Sequence, residues 1–308
     1  MRHHVRRCSM ISTLGGLIAV LLLWATAVAP AAADPRLHGQ GRLWQVTRGD
    51  AAPSHVFGTM HVTDADVVDV PPDIRRALVR SDRLVLELES SKELEARMAR
   101  SMIFTDGRRL QDVIGAKLFA RLETTAARYG LAPQQLDLFR PWALIMILGM
   151  PPQELARQAQ GQQVLDRILE RYAKDNGMPV FALETPEDQI EAIDDLTRKE
   201  QVDLLASSIK ENHRVEEIFA AFKQAYLRGD LDALHAMSDK LMASASPTVA
   251  ASFQKSFIDD RNRHMADRAA THLDAGGAFI AVGALHLSGK NGLLHLLEQK
   301  GYTVKRVN

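Results

Sequence analysis

Cysteine is almost absent: the only one is Cys8. A single thiol makes no intramolecular disulfide and no thiolate cluster for zinc or iron–sulfur. Net charge is absent as well, since 38 Lys+Arg meet 38 Asp+Glu. No global field therefore draws the chain to nucleic acid or to an anionic membrane. There is no H-E-x-x-H, G-x-S-x-G or C-x-x-C motif, so zincin, serine-hydrolase and dithiol signatures are all missing. After residue 33 no apolar run is long enough to span a bilayer, and there is no heptad, short repeat or low-complexity linker. What is present is globular in composition: 46% hydrophobic and 25% charged residues over 308 positions, enough to bury a large core without covalent staples.

Residues 1–33 read as a secretory signal peptide. Arg2, Arg6 and Arg7 form a positive start, residues 15–29 are apolar, and Ala31-Ala32-Ala33 supplies small residues for cleavage. The expected cut follows Ala33 and leaves residues 34–308 as one domain, in the periplasm or secreted, with no stable membrane span. The alternative is an uncleaved anchor. Cys8 and the three arginines leave with the peptide, so the mature chain has 35 basic residues against 38 acidic ones and no thiol.

The mature chain is strand-like at both ends and helical between. Residues 43–47 and 55–58 read as strands about a polar turn, and Pro71-Pro72-Asp73 starts a helix through Ser81. Residues 83–89 alternate, with Leu84, Leu86 and Leu88 on one face and Val85, Glu87 and Glu89 on the other. Helices with proline breaks at Pro133, Pro141 and Pro151-Pro152 follow, then a short strand over 178–183 and further helices to Ala275. Residues 278–283 (AFIAVG) form a buried strand, 291–300 a helix, and 302–307 a last strand. Trp44 and Trp142 are expected in the core. His213, His235, His264, His272 and His295 lie in polar helical surroundings and are expected at the surface.

Two segments resemble each other. HVFGTMHV carries Gly58 and His61, and FIAVGALHL carries Gly283 and His286. In each an apolar strand ends in glycine, which permits a sharp turn, and a histidine follows three residues later. Both histidines then stand at the carboxyl ends of strands, where open α/β sheets bind ligands. Glu87, on a strand expected beside the first, would point to the same edge. Two imidazoles and a carboxylate suit a divalent ion with open positions. The competing reading makes both histidines structural or merely exposed, and Glu87 salt-bridged or exposed.

The pieces LWQV, FGTMH, SDRLVLELE, LETPEDQ, DRNRHM and VGALHLSGKNGLLHLLEQKGYTVKRV resemble the TraB/GumN family, which is similar to the Tiki metalloproteases. The resemblance implies a divalent-metal site at His61, Glu87 and His286. It implies roles for Glu89 as proton acceptor or alternative ligand, Glu184 as base or supporting carboxylate, and Arg261 on an oxyanion or a carboxylate. Gly58, Gln189, Asn262 and Gly283 complete the matching positions. Arg261 could equally hold its helix to the sheet by an ion pair, and Glu184 could cap a helix in LETPED. The family usually carries an acid shortly after a glycine ahead of the LET block; here that stretch reads Gly161-Gln162-Gln163.

The expected fold is α/β: a small mixed central sheet formed by the N- and C-terminal strands, with a large helical insert covering one edge. The expected function is an exported metal-dependent hydrolase acting on peptides, with zinc, manganese or cobalt. The alternatives are a non-catalytic protein that sequesters a peptide, metal or porphyrin, and an accessory factor in envelope polysaccharide production.

Overall fold

The structure is a computed structural model and describes residues 36–308. The proposed signal peptide and its cleavage point lie outside the described residues. Six strands form one mixed sheet: β1 (Leu43–Thr47), β2 (Ser54–Thr59), β3 (Arg83–Leu86), β4 (Val180–Ala182), β5 (Ala278–Gly283) and β6 (Thr303–Arg306). Their order across the sheet is β4-β3-β5-β2-β1-β6. β4, β3, β5 and β2 are mutually parallel, and β1 runs antiparallel to both β2 and β6.

Parallel strands must be covered on both faces, and the sequence of β5 shows it. All six residues of AFIAVG are buried, without alternation. The Leu165–Asp175 helix packs on β3 and β4, the Arg261–Asp274 helix on β5, and the Leu293–Gln299 helix on β6. The prolines of the insert start helices rather than merely interrupting them. Pro133, Pro141 and Pro152 each open one, where a missing N–H costs nothing. The Pro141–Leu148 helix is buried on every side, which suits its unbroken apolar sequence PWALIMIL. Trp44 and Trp142 are in the core as expected.

Three expectations need correction. β3 is not beside β2, because β5 lies between them. β3 also ends at Leu86, so the alternation does not carry through to Glu89. His235 is buried, not at the surface. It belongs to the stripe Leu231, Leu234, His235, Ser238, Leu241 and Met242 that the Leu231–Ala245 helix turns inward.

Candidate functional site

Four parallel strands end side by side, and each is followed by a residue singled out from the sequence. Across the edge these are Glu184 after β4, Glu87 after β3, His286 after β5, which itself ends at Gly283, and His61 after β2. Thr59 pairs with Gly283, so the two GxxH turns are offset by one residue at the sheet edge.

The two glycines serve by their small size. Neither has a positive φ, and Gly283 sits at φ −53°, ψ 135°. A Cβ on Gly58 would stand 2.7 Å from Leu287 Cδ1 and 3.2 Å from Ala284 Cα, so the bare backbone lets the β5 turn pack onto β2. A Cβ on Gly283 would lie 3.2 Å from Glu87 Oε1. The Gly283 N–H donates to that same oxygen at 2.6 Å, pinning the carboxylate to the end of β5.

His286 is held in one tautomer. Asn262 Nδ2 donates to Asn291 O at 2.7 Å, which leaves Asn262 Oδ1 to accept from His286 Nδ1 at 2.7 Å. Nδ1 therefore carries the hydrogen and Nε2 the lone pair. Nε2 faces Glu87 Oε1 at 3.9 Å. Burial, and then the nearby Arg261 guanidinium, hold the pKa of His286 well below the usual imidazole value.

His61 is held in the same manner by a carboxylate. Its Nδ1 bonds Asp166 Oδ2, while Asp166 Oδ1 accepts from Thr59 Oγ1 at 2.8 Å. Burial opposes a proton on His61, but the Asp166 charge and hydrogen bond more than offset it, with Glu87 adding to them. The pKa is raised. Asp166 was not legible as a site residue. It opens the Leu165–Asp175 helix and lies 105 positions from its partner. An acid therefore does reach the site from the segment ahead of LET, a few residues beyond Gly161-Gln162-Gln163.

Arg261 joins two carboxylates. Its Nε and Nη2 donate to Glu184 Oε1 and Oε2 at 2.7 and 2.6 Å, a two-pronged pair, and Nη2 also donates to Glu87 Oε2 at 2.9 Å. Gln189 Nε2 adds a 3.0 Å bond to Glu184 Oε2 and a longer one of 3.5 Å to Glu87 Oε2. All three charged groups are buried. Arg261 follows a π-helical stretch, Gln254–Asp260, whose Phe257 carbonyl accepts from Arg261 Nη1 at 3.4 Å. Such wide turns recur at functional sites, and nothing in the sequence announced this one. Arg261 thus orients carboxylates in this arrangement. Glu184 does not cap its helix; Thr185 does, accepting from Asp188 N.

Glu89 stands apart. It is about half exposed and pairs with Lys174 at 3.2 Å. His264 faces solvent on the outer side of its helix.

Two buried glutamates of the insert tie down the loops that follow the site residues. Glu154 accepts from Thr63 N and Oγ1 at 2.7 and 3.0 Å, two residues past His61. Glu170 accepts from Ser90 N and Oγ at 2.9 and 2.6 Å, three residues past Glu87. Each glutamate also takes an arginine from its own helix, Arg157 and Arg167 respectively.

Among the described residues, no three His, Cys, Asp or Glu side chains are placed ready to hold one ion. The donor chemistry nevertheless fits a divalent cation. His286 Nε2 and Glu87 Oε1 are 3.9 Å apart, within twice a metal–ligand bond of about 2.1 Å. Both imidazoles have Nδ1 engaged by an oxygen, which leaves Nε2 for a ligand, the usual arrangement behind metal-binding histidines. Glu87, Glu184 and Asp166 bring three carboxyl groups to the site, two of them shared by the guanidinium of Arg261.

The chain belongs to the TraB/PrgY/gumN family, which it matches over residues 42–306. It is similar to the metalloprotease TIKI1 of Danio rerio, at 24% identity over 314 residues covering 85% of this chain and 62% of that protein. The same enzyme of Homo sapiens is 24% identical over 316 residues, covering 85% and 61%. Metalloprotease TIKI2 of Xenopus tropicalis is likewise 24% identical, covering 85% and 59%. The chain thus spans about three-fifths of the length of the curated relatives it matches. No solved structure matches it. Among the described residues no helix is long and apolar enough to cross a membrane.

Proposed function

We propose that this member of the TraB/PrgY/gumN family is an exported, metal-dependent hydrolase of peptides, folded as one domain after loss of residues 1–33. The observation that carries the reading is the lone pair of His286 Nε2, aimed at Glu87 Oε1 across 3.9 Å at the end of a parallel sheet. The names of the Tiki metalloproteases supply the reaction class.

His286, Glu87 and His61 would hold the ion. A bound divalent ion would polarise a peptide carbonyl and lower the pKa of water toward neutrality. The chain's own groups do the rest. Asn262 and Asp166 keep a hydrogen on each Nδ1, so that Nε2 stays a donor of electrons. Arg261 fixes Glu87 against the end of β5 and shares its charge between two carboxylates. Glu184, which Arg261 and Gln189 hold beside Glu87, is the proposed proton acceptor within the cluster. Glu89, paired with Lys174 at the surface, takes no part.

Elemental analysis of purified protein, paired with a peptide-library cleavage screen, tests the reading. The wild type should carry about one divalent ion per chain and cleave peptides. His61→Ala and His286→Ala should lose both with the fold intact. Unchanged metal content in the folded double variant would refute the ligand set. Metal binding without cleavage of any peptide would leave the chain a binding protein.

A further inference from the structure

The parallel sheet has one open side, at β4. In a parallel ladder alternate residues bond to the neighbouring strand and the others face away. Here Leu84 N donates to Pro179 O at 2.9 Å, and Leu183 N donates to Leu86 O at 2.8 Å. The odd-numbered residues of β4 therefore face β3. The main-chain groups of Val180 and Ala182 face outward, and no main-chain partner meets them among the described residues. The strand is exposed at Phe181 and Ala182. It is also short, which limits its pairing with a second copy of the same edge.

A cavity of about 330 Å³ opens at the carboxyl end of this edge. Ala182 and Glu184 line it from the strand side, Leu88, Leu94 and Pro186 give it apolar walls, and Glu93 lines it together with Glu89 and Arg97, which are already paired with Lys174 and Glu187. Glu93 pairs with no cation among the described residues, and Glu184 is the same residue that meets Arg261 in the candidate site. The cavity at the open edge and the candidate site thus share Glu184.

We propose that β4 is the docking edge for an extended peptide, which adds as a further strand and sends a basic side chain into this cavity. The inference rests on the peptide-hydrolase reading for its consequence and on the open edge for its geometry. Main-chain pairing supplies sequence-tolerant affinity, and the cavity supplies selectivity. A lysine or arginine stem would lie along Leu88 and Leu94 with its charge at Glu93. From a strand added outside β4 to the end of β5 is three strand spacings, roughly 14 Å. An extended chain covers that in about four residues. The bond cut should therefore lie about four residues from the docked segment.

The test uses the full chain and a fluorescein-labelled, unstructured ten-residue peptide with one central lysine, followed by fluorescence anisotropy. Ala182→Pro removes an outward N–H while sparing the bonds to β3, a placement edge strands tolerate. It should weaken binding at least tenfold, and Glu93→Gln should weaken it further for lysine than for norleucine at the same position. A probe N-methylated at the pairing positions should lose as much against the wild type, and this arm stands even if the proline variant fails to fold. Equal binding of the methylated and plain probes would overturn the proposal. So would a wild-type dimer that Ala182→Pro dissociates, since the edge would then be taken by a second copy. Binding with these losses but no cleavage of any peptide would sink the hydrolase reading alone. Cleavage with no such losses would sink the docking edge alone.

Discussion

His235 offers a measurement that needs neither metal nor substrate. It is only 3% exposed, and its Nε2 has no hydrogen-bond partner. Burial, aided by the charge of Arg36, lowers its pKa from 6.5 to about 3. The neutral ring is therefore the form that folds, and protonation favours the unfolded chain. Its contribution is intact above the unfolded pKa and is lost as pH falls from about 6.5 toward 3. At pH 5 the unfolded ring is mostly protonated and the folded one is not. The difference is about one and a half pKa units of free energy, or about 2 kcal/mol. Urea titrations of wild type and His235→Leu at pH 7 and pH 5 isolate this. Repacking around leucine changes both values equally, so the quantity to read is the pH 7 minus pH 5 difference. It should shrink by about 2 kcal/mol in the variant. A remaining slope is expected, because the pKa of His286 is also depressed by burial and acts with the same sign. An unchanged difference would mean that His235 reaches water in the folded chain, and the burial argument for this helix would fall.

Other perturbations probe the site itself. Asp166→Asn keeps the shape but removes the charge beside His61, so the His61 pKa should drop, read by NMR titration, and metal affinity should fall by about 10–100-fold; an unmoved titration would rule out the pairing. Asn262→Leu frees the His286 ring to exchange tautomers and should weaken metal binding by a similar factor, with a thermal melt reporting whether the fold survives. Arg261→Met strands two buried carboxylates and should cost about 3–5 kcal/mol in urea unfolding, whereas the triple change with Glu87→Gln and Glu184→Gln should recover much of that. Gly58→Ala puts a methyl against Leu287 and Ala284 and should destabilise by about 1–3 kcal/mol; a neutral result would mean that the turn relaxes.

The strands that end at the site were legible because each pairs an apolar run with a punctuating residue. β1 and β5 have the bounds read from the sequence, and the others differ by a few residues at their ends. The sequence could not reveal which strand lies between which. β5 sits between β2 and β3, an order fixed by tertiary packing and not by any local pattern. Glu89 illustrates a limit of alternation: the period-two rule holds only while the strand lasts, and β3 stops three residues short of it. His235 was misplaced although its signal was present, since the spacing 231, 234, 235, 238 is that of a buried helical face. Asp166, Glu154 and Glu170 were invisible for a different reason. A carboxylate on an amphipathic helix looks solvated until the loop it clamps is known.

Those clamps explain why so small a sheet carries so large an insert. A histidine or glutamate on the residue after a strand sits where the ladder has ended, so its backbone has lost its regular partners. Here the insert replaces them. Glu154 takes both the N–H and the hydroxyl of Thr63, and Glu170 does the same at Ser90. Asp166 lies one helical turn before Glu170, so a single face of the Leu165–Asp175 helix grips the exits of both β2 and β3. Each clamp carboxylate is paired with basic side chains of its own helix, Glu154 with Arg157 and Glu170 with Arg167 and Lys174. The entropy lost in ordering these two loop ends is thus offset by charge-assisted bonds from a rigid element, not by loop contacts alone. The consequence is that the geometry around His61 and Glu87 is set from the helical side of the molecule. Loosening that helix should degrade the site before it unfolds the sheet.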